Sequence, residues 1–513
     1  MSAAPLNRRS LFLGAGAVAL TAACSSGTSG SADPSDVVRT TLGQVRGVRR
    51  PTGVAFLDIP FAQPPVGDLR FAAPVPPKAW TDTRDCTKYG PTAQVKQLSA
   101  VTTIPEPSIP GTDYLTLNVF TPDTSPSAKL PVLVWIHGGG FTAGSPASPW
   151  YDGASFNRDG VILVVVGYRL GVEGFLHLEG APDNRGVLDW IAGLEWVRDN
   201  IADFGGDPAK VTVAGQSAGG GAVWALMGAP RARSLFRAGI SESGAMTQPN
   251  DASVAAAGAA AFTQATGVPA TVAALRDLSR DQLQALQDKL PQPGAIGANP
   301  AALQLAPVAD GTLIPESSAA MLTSGRSADI PLLIGFNRGE FNLVSAQLTD
   351  ATAPNMLSAM GIDAATENGY RAAYPGLSTP ELVGQIASDL MLRGPSYRVA
   401  EDHARRDRPT WLYEFSRAST APGLYNGTAS HCLEIPFAFD ELNTQGVTAV
   451  EGANPPQPLA TAMHKAWVDF IKNGDPGPTW PRYTLDKRET MIWNDNSRVE
   501  QDPFAAQRPL WTH

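Results

Sequence analysis

The stretch Val211–Gly221, reading VTVAGQSAGGG, restricts the fold more tightly than any other part of the chain. Val211-Thr212-Val213 is a β-branched alternation that favours a strand, and Ala222–Met227 is an apolar run that favours a helix. Between them lie Gly215-Gln216-Ser217-Ala218-Gly219, so the chain must pass from strand to helix through a sharp turn with a serine at its apex. Glycines two residues either side of that serine suit such a turn, because a Cβ there would collide with the neighbouring strand or helix. The serine is thereby pushed out of the sheet, its hydroxyl near a helix N-terminus. This is the geometry of an activated nucleophile; a glycine turn serving packing alone is the competing reading. Phe204-Gly205-Gly206-Asp207 just upstream favours the nucleophile.

The rest of the chain repeats the strand-and-helix rhythm. Leu115–Phe120, Val132–Ile136, Val161–Val166, Ala238–Ile240, Ile330–Gly335 and Pro409–Phe415 read as strands, several of them apolar throughout, as in strands buried on both faces. Leu188–Phe204 and Leu459–Asn473 have helical spacing. Such alternation predicts the α/β class: a large, mostly parallel sheet with helices on both faces. Residues 251–290 are Ala-rich and read as helices with caps at Ser253 and Ser279, forming an insertion over the C-terminal edge of the sheet. At 513 residues and 43% hydrophobic, the chain can bury one large core with insertions, and no internal repeat or second domain is visible.

A serine nucleophile needs oxyanion donors, a base and an acid to orient the base. His137-Gly138-Gly139-Gly140-Phe141 directly follows a buried strand, where glycine N–H groups can point into the crevice above the sheet edge. The N–H groups of this glycine run, with that of Ala218 after the serine, are the candidate donors. The base follows by elimination among six histidines. In the α/β-hydrolase fold the order is serine, acid, histidine, so His137 and His177 come too early. His513 is the last residue, and His403 and His464 read as residues on helix surfaces. His431 remains, in a loop before Ile435-Pro436-Phe437. For the acid, Asp310 and Glu340 both qualify. Asp310-Gly311 also reads as a tight turn, and position favours Glu340, which follows a buried strand.

Taken together these segments resemble the type-B carboxylesterase family, which includes the para-nitrobenzyl-type esterases and the cholinesterases. The resemblance runs from about Val37 to Tyr483 and rests on the Phe204–Gly219 signature and on Asp113-Tyr114-Leu115-Thr116-Leu117-Asn118-Val119. Pro64-Pro65-Val66-Gly67, Tyr168-Arg169-Leu170-Gly171 and Trp480-Pro481 also match. It implies an α/β-hydrolase domain over residues 37–513, with helical insertions over the active site, and a triad of Ser217, Glu340 and His431. The oxyanion donors would be Gly139, Gly140 and Ala218. It also implies serine carboxylesterase chemistry on short- to medium-chain or aryl esters, without cofactor or metal; a long-chain lipase or a non-catalytic cell-surface binding module are the alternatives. Three departures stand out. Tyr114 replaces a cysteine, removing the family's first disulfide. Phe341 stands where glycine usually follows the acid, and would crowd its loop. Gln216 replaces the cholinesterase glutamate, and residues 91–113 hold no tryptophan, which argues against choline esters.

The N-terminus carries different information. Asn7-Arg8-Arg9-Ser10-Leu11-Phe12-Leu13 resembles a twin-arginine export signal, and the apolar run to Ala23 is too short to span a bilayer. Leu20-Thr21-Ala22-Ala23-Cys24 resembles a lipoprotein cleavage box, so residues 1–23 read as an export signal and Cys24 as a lipidation site. Residues 24–36 then form a flexible tether to the bacterial cell envelope; a plain secretory signal is the alternative. Of three cysteines, Cys86 and Cys432 are expected to be unpaired and buried. The net charge of −9 comes without a Lys/Arg cluster, which argues against nucleic acid as a partner and leaves a small ester as the expected ligand. The oligomeric state has no signature.

Overall fold

The computed structural model describes residues 36–94, 103–244, 249–290 and 305–511. The export segment, Cys24 and the tether up to residue 35 lie outside them, as does His513.

Eleven strands form the central sheet. In spatial order they are Arg498–Gln501, Glu489–Trp493, Thr410–Phe415, Leu332–Asn337, Ala238–Glu242, Gly206–Gln216, Leu130–Ile136, Ile162–Val166, Thr116–Thr121, Gly53–Pro60 and Val48–Arg50. Those from Glu489–Trp493 to Ile162–Val166 pair in parallel, and antiparallel strands close both edges. Alternation along each strand divides the core between the two faces. Val132, Val134 and Ile136 point into one layer with Val211 and Val213, packed by the helices Arg185–Asn200, Ala218–Gly228 and Gly394–Arg405. Leu133 and Trp135 point into the other with Ala214 and Ile240, packed by the helix Gln457–Asn473. The α/β reading of the sequence is this architecture.

The register sets the site. Ile136 pairs with Gly215, and Gln216 with Glu242, so the neighbouring central strands end side by side. In a parallel sheet that carboxyl edge is where loops from several strands converge.

Local differences from the sequence reading have physical causes. The strand before Ser217 is eleven residues long, Gly206–Gln216, because its polar first half still pairs with Leu130 across a register shift. The helix after it begins at Ala218, although Gly219, Gly220 and Gly221 are poor helix formers. Packing overrides propensity: a Cβ at Gly219 would lie 2.0 Å from the Ile136 carbonyl oxygen, and one at Gly220 2.6 Å from Gly244 Cα. Ser279 does cap its helix, through a capping box with Gln282. Ser253 does not. The helix Ala252–Thr266 starts before it, because Asn250 is pinned by hydrogen bonds to Pro307 and Ala309 and hands the N-cap position to Asp251.

Candidate active site

Ser217 sits at φ 57°, ψ −121°, a conformation costly for a residue with a Cβ. Its N–H donates to the Glu242 carbonyl at 2.8 Å. Two close approaches maintain the turn: a Cβ at Gly215 would lie 2.5 Å from the Gly219 backbone and 2.6 Å from the Ile136 oxygen. The strand end, the serine turn and the following helix are thus packed backbone to backbone.

The glycine loop lies against this turn. A Cβ on Gly138 would lie 2.8 Å from the Gln216 oxygen and 3.1 Å from Ser217 Cβ. Gly139 and Gly140 take φ of 107° and 62°, and their N–H groups have no acceptor among the described residues. The N–H of Ala218, the first residue of its helix, has none within the helix. Tyr168 OH donates to the His137 carbonyl at 2.9 Å and stacks on its ring, which steadies the loop.

Glu340 and His431 are brought together as the resemblance implies. His431 Nδ1 lies 2.6 Å from Glu340 Oε2, and the His431 N–H donates to the Glu340 carbonyl at 3.2 Å. With Nδ1 committed to the carboxylate, Nε2 of the neutral ring is the free base. Burial disfavours the imidazolium, but the Glu340 carboxylate at hydrogen-bond distance favours it, and the base is held above its ordinary value. The His431 side chain is 24% exposed, so the base is open to a ligand. Its Nε2 accepts a long hydrogen bond from Gln216 Nε2 at 3.4 Å, and among the described residues none joins it to the Ser217 hydroxyl. Such a contact commonly tightens only when substrate is bound.

The polar setting behind Glu340 was not anticipated. Its Oε1 accepts from Ser243 Oγ at 2.7 Å and from the Asn337 N–H at 2.6 Å. Asn337 Nδ2 reaches the Ser430 carbonyl at 2.7 Å and also Glu434, tying the acid's strand to the base's loop. Burial and the Glu340 charge push Glu434 up to about 7. Burial and Glu434 raise Glu242 well above the ordinary carboxyl value, although Trp467 Nε1 donates to it at 2.7 Å. One signal was available: Glu242 is a charged residue that ends a fully buried strand, Ala238–Glu242.

Other candidates resolve differently. Asp310 is a turn residue; Oδ1 accepts from the N–H groups of Thr312, Leu313 and Ile314, and Oδ2 from Asn184. His403 and His464 are not on helix surfaces but buried. His403 bonds to Thr410 and is lowered to about 3 by burial and nearby arginines, and His464 lies between the Ala438 carbonyl and Asp159. Elimination reached His431 although its reason for discarding those two was wrong. Cys86 and Cys432 are free and buried, as expected. Tyr114, in place of the family cysteine, donates to Glu173 at 3.0 Å beneath the Arg280 guanidinium. Among the described residues no group of three or more His, Cys, Asp or Glu side chains could hold a metal ion.

The carboxylesterase family profile matches residues 34–511, nearly all of the described chain. The chain belongs to the carboxylesterase family. Within this family it is 37% identical to the para-nitrobenzyl esterase of Bacillus subtilis over 497 residues, covering 92% of this chain and 97% of that one. It is 32% identical to the phenmedipham hydrolase of Pseudarthrobacter oxydans, covering 90% and 95%. The crystal structure of a Geobacillus stearothermophilus carboxylesterase superposes with a TM-score of 0.81 at 32% identity, covering 93% of this chain and 100% of its own. The carboxylesterase fold is therefore that of the α/β-hydrolases, and the chemistry is hydrolysis of carboxylic esters.

Proposed function

We propose that Ser217, His431 and Glu340 carry out this hydrolysis by two-step acyl transfer. The observation that supports the assignment is the Glu340–His431 hydrogen bond at the sheet edge where Ser217 projects. His431 Nε2 takes the hydroxyl proton as Ser217 attacks the ester carbonyl. Glu340 fixes the tautomer and stabilises the imidazolium, while Gly139, Gly140 and Ala218 N–H groups bind the oxyanion. His431 then protonates the departing alcohol, and water repeats the sequence on the acyl-enzyme. Each donor contributes roughly 100- to 1,000-fold to turnover.

The substrates we propose are short- to medium-chain or aryl esters. The name of the Bacillus relative, a para-nitrobenzyl esterase, supports this reading. Purified protein should cleave p-nitrophenyl acetate and butyrate, and Ser217→Ala should not; equal rates would refute the assignment. Activity rising from butyrate to palmitate above the solubility limit would replace this substrate range with that of a lipase. We further propose export, with Cys24 lipidated and residues 24–36 as the tether. The intact mass of the mature N-terminus, with or without acyl chains, decides that point.

A further inference from the structure

Phe341, at the start of the helical insertion that follows Glu340, brings an aromatic ring to the base. Phe341 lies between the acid and the short helix Asn342–Ser345, and its ring lies 6.0 Å from the His431 ring at an interplanar angle of 18°. This is an offset parallel stack. It does not displace the acid, contrary to the expected crowding, because Glu340 keeps both its donors and His431.

The Phe341 backbone is gripped from the other side. Its N–H donates to Ser388 Oγ at 3.1 Å, and its carbonyl accepts from Ser345 N at 3.2 Å. Ser388 ends the buried helix Thr379–Ser388 and is itself fixed by donating to the Gly384 carbonyl at 2.7 Å. Gly384 is where that helix comes close: a Cβ there would lie 2.5 Å from Ser345 Oγ and 3.1 Å from the Phe341 oxygen. The helix therefore fixes the Phe341 backbone, and the Phe341 ring lies near-parallel to the imidazole, offset from it, with the centroids 6.0 Å apart.

We propose that Phe341 is a positioning residue for the base: it holds the imidazole plane for proton transfer and stabilises the imidazolium through the aromatic face. The inference rests on the assignment of His431 as the base. Neutral His431 takes the Ser217 proton on Nε2 and carries a positive charge while the oxyanion exists, then gives the proton to the departing alcohol. A stacked ring favours the charged state. It acts alongside the other groups facing His431: the Glu340 carboxylate, the Cys432 thiol, the Glu434 carboxyl and the neutral Gln216 amide. Of these, only Phe341 contacts the ring face as an aromatic group.

The test compares wild type, Phe341→Leu and Phe341→Tyr on p-nitrophenyl acetate, with rates normalised to active sites titrated with diethyl p-nitrophenyl phosphate. Titration counts competent molecules, so partial misfolding does not enter. Phe341→Leu keeps bulk and removes the aromatic face. It should lower kcat about three- to tenfold with KM unchanged and move the acid limb of kcat/KM down by roughly half to one pH unit. Phe341→Tyr should restore both. An unchanged acid limb and kcat in Phe341→Leu would overturn the proposal. So would a change confined to KM, which would make Phe341 a pocket wall, or failure of Phe341→Tyr to restore activity. Ser217→Ala runs alongside: if it matched wild type, the esterase site assignment would fail, independently of Phe341.

Discussion

Two acid–base pairs in this molecule, one buried and one reaching the surface, are built on different terms. Arg169 and Asp189 are both fully buried, and Asp189 accepts from the Arg169 N–H, Nε and Nη2 at 3.0, 2.8 and 2.7 Å. Nη1 also donates to the Ala72 carbonyl, and Nη2 to the Arg185 carbonyl. Around Glu340 and His431 the satisfaction is partial. Gln216 Oε1, Asn337 Oδ1, Glu242 Oε2 and Glu434 Oε1 are buried without a partner, and Ser217, Ser243 and Cys432 all take positive φ. The first pair joins the loop after one strand to a helix and has nothing further to bind. The second keeps unused hydrogen-bonding capacity and backbone strain together, as sites poised for a changing charge do.

Substitutions sharpen the contrast. Ser217→Ala should reduce kcat by about 10⁶-fold while leaving the melting temperature near that of wild type. Glu340→Gln should cost about 10⁴-fold in kcat with the fold retained, since the wrong tautomer is then held. Asp189→Ala should do the reverse: a destabilisation of about 3–5 kcal/mol in urea titration, from the guanidinium left buried and unpaired. A fall in turnover per folded molecule as large as that of Glu340→Gln would erase the distinction between the pairs.

The pH dependence follows from the raised basicity of His431. The acid limb of kcat/KM should lie above pH 6.5, activity falling as the pH drops through it, and Glu340→Gln should bring that limb down. The same shift stabilises the fold fully below pH 6.5, and this contribution is lost as the pH rises through the folded-state value. Ser243→Ala, which removes a donor to a buried carboxylate, should destabilise by about 1.5–3 kcal/mol. The smallest effect is the most diagnostic of strain. Ser217→Gly should abolish activity yet stabilise the protein by about 1 kcal/mol, because glycine accepts the positive φ without penalty. A lower melting temperature would show that the turn is not strained.

What the sequence revealed about the site is what lies close together along the chain. The serine turn and the glycine loop are continuous segments whose spacing is their meaning, and the apolar strands show themselves by unbroken runs. Ser243, Asn337 and Glu434 are different: each looks like an ordinary polar residue near a strand or loop end. Ser243 meets Glu340 only because the Ala238–Glu242 strand pairs with Leu332–Asn337, and Glu434 meets Asn337 only because the His431 loop lies against the end of that strand, placements that no local pattern encodes. His403 and His464 illustrate the converse. Their helices read as having exposed polar faces, but Thr410 and Trp224 cover one histidine, and Asp159 with Ala438 the other.

The two free buried thiols have a practical consequence. Burial raises Cys86 to about 12 and raises Cys432 as well, so neither presents a thiolate to a reagent at neutral pH. A cysteine introduced at Leu424, 57% exposed in the segment leading to His431, would be the reactive one among residues 36–511. A fluorophore or a surface linker attached there would label or immobilise the enzyme at a defined exposed point, seven residues along the chain from His431, without disturbing the core.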